Sequence, residues 1–233
     1  MEIEWVQVTK GRTELGSQNR SILFGGIGPR HMVAIDYNFQ ISRNPISKED
    51  AESLLISEEI ELASESEWHL AFDNGLIEGS DEIELLADRS RGDYWGKYVD
   101  GRSMLADDWV MMISKKWNSG SAITHLIPSG AIEPDFVRLV RREPQSFSES
   151  QRLPLTRDNT KIIREEVVIA IVLGIIPSFL WAHFNATPGY IETGWPGLVL
   201  GGAVLGLLTG LFWRPKTTSY RIGRNCGKVK ANK

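Results

Sequence analysis

The sequence predicts an α+β body followed by two membrane-spanning helices. Three observations carry this expectation. Strand-like and capped helix-like patterns share residues 1–142, two long apolar runs occupy 167–184 and 195–213, and charge is segregated around them. Residues 143–166 are polar and read as a linker; 214–233 read as a basic cytoplasmic tail.

In the body, residues 2–8 alternate and suit a strand, and 20–24 and 31–41 suit two more. Ser47 is placed to cap a helix reaching about Leu55. A second helix is predicted over 65–73. Ser64 supplies its N-cap and Glu67 the returning carboxylate of a capping box, while Trp68, Ala71 and Phe72 share one apolar face. Beyond Gly79 the pattern turns irregular: RGDYWGKYVDGRS is turn-rich and aromatic, 109–113 suits a buried strand, and 136–140 closes the domain. The acidic stretches 57–67 and 80–84 read as solvated faces.

The first apolar run, VVIAIVLGIIPSFLWAHF, and the second, WPGLVLGGAVLGLLTGLFW, contain no Asp, Glu, Lys or Arg. At a helical rise of 1.5 Å per residue each extends about 27–29 Å, close to a hydrocarbon core of about 30 Å. The loop expected between them, 185–194, carries only Glu192. Arg152, Arg157, Lys161 and Arg164 precede the first run, and seven Lys/Arg follow the second. The positive-inside rule then predicts a two-span protein of the inner or plasma membrane, with body and C-terminus cytoplasmic. Trp181, Tyr190, Trp195 and Trp213 fall where interfacial aromatics belong. Pro177 predicts a kink, and His183 sits at the outer edge. Gly202, Gly206 and Gly210, four apart, allow close helix approach, either within the hairpin or in self-association of the chain.

The formal net charge is −4, yet residues 1–166 hold 19 Lys/Arg against 29 Asp/Glu, whereas the tail holds seven Lys/Arg and no acid. Nucleic acid is not expected as a partner of the acidic body; the lipid bilayer is, with anionic lipids meeting the tail. Cys226 is the single cysteine, so neither an intrachain disulfide nor a cysteine-rich zinc site can form. Residues 1–17 hold no apolar h-region and read as no secretory signal.

Across most of residues 2–142 the sequence resembles the formylglycine-generating enzyme (sulfatase-modifying factor) family. WVQVTKGRTELGS (5–17) is similar to its opening F-V-x-I-P-G-G-x-F-x-M-G-S, PRHMV (29–33) to P-x-H-x-V, and PIS (45–47) to P-V-T. LASESEW (62–68) looks like L-P-T-E-A-E-W, IELLADR (83–89) like W-E-W-x-A-D-R, and FVRLV (136–140) like G-F-R-x-V. The resemblance implies a compact, irregular fold akin to a C-type lectin.

Departures from the family pattern bear on function. The long middle that brings calcium ligands in the enzymes is nearly absent, and Ile83 and Leu85 replace both tryptophans of W-E-W. The cysteines that hold copper and activate oxygen are missing from residues 1–225. The expectation is a membrane-anchored, non-catalytic binding or scaffolding relative with an unidentified protein or ligand partner, and without catalytic residues, metal or cofactor. Asp88, Arg89, Tyr94 and Trp95, in and before the aromatic turn, are its candidate ligand-contacting residues. The alternative is a metal-dependent oxidoreductase with a rearranged, cysteine-free site drawing on His31, His69 and His125. No Gly-x-Ser-x-Gly elbow occurs, and FGGIG (24–28) reads as a turn rather than a phosphate loop.

Overall fold

A computed structural model describes residues 3–17, 26–57, 59–144, 152–157 and 159–212. The expected strand at 20–24, residues 145–151 and 158 of the linker, Trp213 and the basic tail lie outside the described residues. The chain divides into two compact units: the body, whose described residues run to Leu155, and a helical unit from Thr156, with which Ser17 and Gly26 group.

Among the described residues the body holds three sheets. β1 (Trp5–Val8), β4 (Phe39–Ser42), β11 (Leu139–Arg142) and β6 (Glu61–Leu62) form one, in the order β1-β4-β11-β6 and antiparallel throughout. β2 (Gly11–Leu15) and β3 (His31–Ile35) pair as a ribbon. The third has the order β5-β10-β7-β8-β9, from β5 (Ile46–Ser47), β10 (Phe136–Val137), β7 (Ile83–Ser90), β8 (Met111–Asn118) and β9 (Ser121–Pro128); only β10–β7 is parallel.

Both helices of the body start where side-chain chemistry asks. Ser47 caps α1 (Lys48–Leu54), accepting from Asp50 N at 3.2 Å. Ser64 caps α2 (Glu65–Asp73) with the full reciprocal box: its hydroxyl accepts from Glu67 N, and Glu67 Oε2 accepts from Ser64 N at 2.9 Å. Trp68 stacks on Phe72 one turn later, and Trp117 of β8 meets both edge-on. This aromatic wall belongs to the larger of two buried apolar clusters.

Three strand expectations change. Residues 31–41 are two strands, because the chain turns at Asp36–Asn38 between β3 and β4. The run at 136–140 breaks at Arg138, whose side chain needs the core. The strand placed at 109–113 is β8, which starts at Met111 and runs on to Asn118. Ser119 (φ 50°) and Gly120 (φ 78°) then turn the chain into β9. Two successive positive φ values match a tight hairpin turn, and glycine takes the second without a Cβ penalty.

A further revision concerns the linker. Arg152 bridges antiparallel to Tyr98, Leu153 N donates to Lys97 O, and Gly96 N donates to Pro154 O. Leu153 is 1% exposed within the main core cluster. Residues 152–155 are thus a strap docked onto the body.

The helical unit comprises α3 (Asn159–Ala170), a π-helical turn (Ile171–Ile175), α4 (Ile176–Asn185) and α5 (Tyr190–Phe212). The connection is only 186–189, shorter than the expected 185–194, because α5 starts five residues before Trp195. Two helical stretches, Ile162–Asn185 and Tyr190–Thr209, are long and apolar enough to span a membrane. Only 22% and 17% of their most apolar windows are buried, whereas a helix in a soluble core buries most of its surface. Pro177 follows the π turn and lacks the N–H that would bond the carbonyl of Leu173. Gly174 faces Gly202 backbone to backbone, and Gly206 faces Ala170; a side chain at either glycine would overlap the opposite helix. Part of the glycine ridge is therefore occupied inside the hairpin. The Ser178 hydroxyl lies 2.8 Å from Ile175 O and 2.9 Å from Leu198 O, linking the two helices.

Candidate functional site

Where α2 starts beside β7, four carboxylates lie buried: Glu65 and Glu67 in the first turn of the helix, Glu84 and Asp88 on the strand, each with no exposed surface. Isolated buried charges are prohibitively costly, so each needs a cation and further donors. All four have them.

Glu84 accepts from three directions. Arg138 Nε donates to its Oε2 at 2.7 Å and Nη2 to Oε1, the Trp68 indole N–H donates at 3.0 Å, and the Trp117 indole N–H donates as well. The remaining guanidinium donors of Arg138 reach the carbonyls of Ser42, Arg43 and Glu78. Asp88 pairs with buried Lys97 and accepts from Glu65 N at 2.6 Å and Met104 N at 2.8 Å, so it also satisfies the first amide of α2. Glu67 receives Arg142 at both oxygens (2.6 and 2.8 Å) and the Tyr37 hydroxyl at 2.8 Å. Glu65 Oε1 gathers the Tyr94 hydroxyl (2.9 Å), Lys115 Nζ (2.9 Å) and Thr124 Oγ1 (2.7 Å). The expectation that 57–67 and 80–84 are solvated faces is overturned at Glu65, Glu67 and Glu84.

The electrostatics push Glu65, Tyr94 and Tyr37 away from neutral-pH proton exchange. Burial raises the Glu65 carboxyl, but the ammoniums of Lys115 and Lys97 outweigh it and bring the pKa down to about 2. Burial, with Glu65 adding to it, drives the Tyr94 phenol well above its ordinary range. Burial and Glu67 do the same to Tyr37. General acid–base catalysis asks for the opposite, values drawn toward the working pH.

Of the candidate ligand residues, Asp88 and Tyr94 are 0% and 1% exposed and belong to this lattice. Arg89 does not pair with the Asp88 carboxylate; its Nη1 donates to the carbonyls of Leu86 (2.7 Å) and Asp88 (3.0 Å), and its guanidinium lies 5.6 Å from the Trp109 ring. Burial lowers its pKa. Trp95 is half-buried, its amide donating to Asp93 Oδ1 at 3.1 Å.

The histidines stand in three settings. His31 is fully buried, edge-on to Tyr94, and its Nδ1 donates to Pro29 O at 2.8 Å. Burial lowers its pKa to about 4, so the ring is neutral. His31 Nε2, Glu65 Oε2 and Ser66 Oγ are buried with no hydrogen-bond partner among the described residues. His125 is exposed on β9, next to Thr124, whose hydroxyl reaches Glu65; alternation along a strand sends the two side chains to opposite faces. His69 Nδ1 lies 3.2 Å from both Thr13 Oγ1 and Asp73 Oδ2, while Thr13 donates to Asp73 at 2.6 Å. Burial and Lys115 lower the His69 pKa against the pull of Asp73. The sequence reading missed this cluster, since 56 residues separate Thr13 from His69. It is no nucleophile triad: hydroxyl and carboxylate share one ring nitrogen, and the hydroxyl proton points to the carboxylate. Among the described residues no three His, Cys, Asp or Glu side chains are grouped to hold a metal ion.

Compared with protein-family models, curated proteins and solved structures, the chain matches none.

Proposed function

We propose that this protein is a membrane-anchored binding or scaffolding module: a body related to the formylglycine-generating enzymes, held on the cytoplasmic face of the inner or plasma membrane by a two-span hairpin. One observation carries the reading. The buried carboxylates of the body are each neutralised by a cation, and the residues involved come largely from the segments that carry the resemblance. Trp68 of LASESEW and Arg138 of FVRLV meet on Glu84 of IELLADR, while Asp88 of that same segment caps the helix that Ser64 begins. Charge here fixes architecture, and the pKa displacements of Glu65 and Tyr94 move both groups away from proton transfer.

The hairpin supports the membrane half of the reading through its exposed apolar surface. Trp181, Phe184, Tyr190 and Trp195, all exposed, flank the connection at 186–189, where an outer interfacial belt belongs. The test is direct. Full-length protein in detergent, given copper(I), oxygen, a cysteine-containing peptide and a thiol reductant that returns any disulfide to the thiol, is expected to form no formylglycine; conversion of cysteine to formylglycine overturns the non-catalytic reading.

A further inference from the structure

We propose that Arg89, with Leu105, Trp109 and Val110 around it, is a docking site for a peptide segment that sets one carboxylate between large apolar side chains. This rests on the binding-module reading and names the chemistry of the partner.

Arg89 is held firmly and left unpaired. The register of β7 on β8 shifts between Leu85 and Arg89, and past the shift Arg89 also bridges in parallel to Leu105. Its backbone is bonded there on both sides, N–H to Met104 O and carbonyl to Ala106 N. Irregularities of this kind re-aim side chains. Nη1 donates to the carbonyls of Leu86 and Asp88, which fixes the plane of the guanidinium. Nε and Nη2 have no hydrogen-bond partner among the described residues, and together they form a fork that fits a carboxylate.

No described carboxylate pairs with Arg89, Asp107 and Asp108 of the adjacent turn included. Glu133 and Asp88 act on it electrostatically, but each is bonded to a lysine, Lys48 and Lys97 respectively. A half-buried guanidinium gives up part of its hydration, and the Trp109 ring, 5.6 Å away, compensates only in part. A carboxylate brought from outside offsets the rest.

The surroundings decide what carries that carboxylate. Leu105 is 71% exposed, Val110 49% and Trp109 39%. Val110 N donates to Ser90 O and Trp109 N to Ala106 O, so these apolar residues gather at the same end of β7. Arg91 is paired with Asp108, as Lys48 is with Glu133, so the site offers one unpaired positive charge. A small free anion gains nothing from the apolar rim. An acidic residue flanked by leucines satisfies the fork and buries the rim together.

The experiment uses the full chain in nanodiscs of zwitterionic lipid, with empty discs as reference. The probe is a dye-labelled short peptide with one glutamate between leucines; its twin carries glutamine there. The glutamate peptide is expected to bind saturably and at least about tenfold more tightly than its twin, as one charge-assisted bond requires. That comparison needs no variant. Arg89→Gln is expected to erase the preference, Arg89→Lys to keep part of it, and Leu105→Ser to weaken both peptides alike. Equal affinities for the two peptides, no binding at about 1 mM, or a persisting preference in Arg89→Gln overturns the proposal. A photocrosslinker at Leu105→Cys, on a Cys226→Ser background, is expected to capture the glutamate peptide at saturation. Capture of lipid or of a second copy in its place overturns the proposal. These failures leave the non-catalytic reading standing, because that reading falls on formylglycine formation.

Discussion

The body and the hairpin solve opposite problems with opposite residues. The body hides charge: Glu65, Glu84, Asp88, Lys97 and Arg138 are wholly buried, and their mutual bonds tie a helix, two sheets and a loop together. Its helical counterpart hides almost no side chains, leaves Leu, Val and Phe outward, and coheres where Gly174 and Gly202 let backbones touch. Water favours the first arrangement, because unpaired charges in the unfolded chain are solvated and only complete pairing compensates for burying them. The second makes sense in a solvent as apolar as leucine, where close backbone packing is what remains to hold helices together.

Substitutions should therefore act on one unit and spare the other. The largest effect is expected for Gly174→Leu, whose side chain overlaps Gly202: the compact hairpin is lost, read as loss of disulfide crosslinking between cysteines placed at Ser178 and Leu198, where the two helices also touch, while thermal unfolding of the body stays unchanged. Coupled loss of both signals would show that the units are not independent. Next comes Arg138→Met, which strands the Glu84 carboxylate among two indoles. Breaking a buried pair from one side costs about 3–5 kcal/mol, read as a lower denaturant midpoint for the tryptophan transition, with hairpin crosslinking intact. A shift below about 1 kcal/mol, the range of exposed ion pairs, would mean that Glu84 is hydrated rather than buried.

Smaller, and tunable by pH, is the contribution of His31. Its folded pKa of about 4 lies below the ordinary 6.5, so the unfolded chain takes up the proton first as pH falls. The stability from the neutral ring is complete above pH 6.5 and is lost progressively toward pH 4, by about 3 kcal/mol in total. Below pH 4.5 the Glu65 carboxylate adds a second loss that runs toward pH 2. Unfolding midpoints of the full chain at pH 7 and pH 4.5 check this, and His31→Leu is expected to flatten most of the difference, His69 supplying the remainder. An unchanged pH dependence in His31→Leu would assign the acid sensitivity elsewhere.

Legibility in the sequence follows the range of the interactions. Caps at Ser47 and Ser64 were legible because donor and acceptor stand three residues apart. The two long apolar helices were legible because each is written along one continuous stretch. The strand expected at 109–113 stopped short of the second half of β8, where Lys115 and Lys116 interrupt the apolar alternation. One of those lysines is buried against Glu65, 50 residues distant, and no local pattern announces such a partner. Arg142 and Glu67 stand 75 residues apart, and Arg138 and Glu84 stand 54 apart. Acidic residues that look solvated in sequence are buried in the fold for that reason. In the candidate site, the aromatic turn singles out Asp88 and Tyr94 as ligand contacts, whereas in the fold both face inward, toward Lys97 and Glu65.

Two indole N–H groups end on the single carboxylate of Glu84, with Arg138 opposite. Trp68 and Trp117 therefore share one electric field, and their rings stand 5.5 Å apart at 61°. The share of the near-ultraviolet circular dichroism that this indole pair contributes is thereby tied to one ion pair, giving an optical gauge of the junction between α2, β7 and β8.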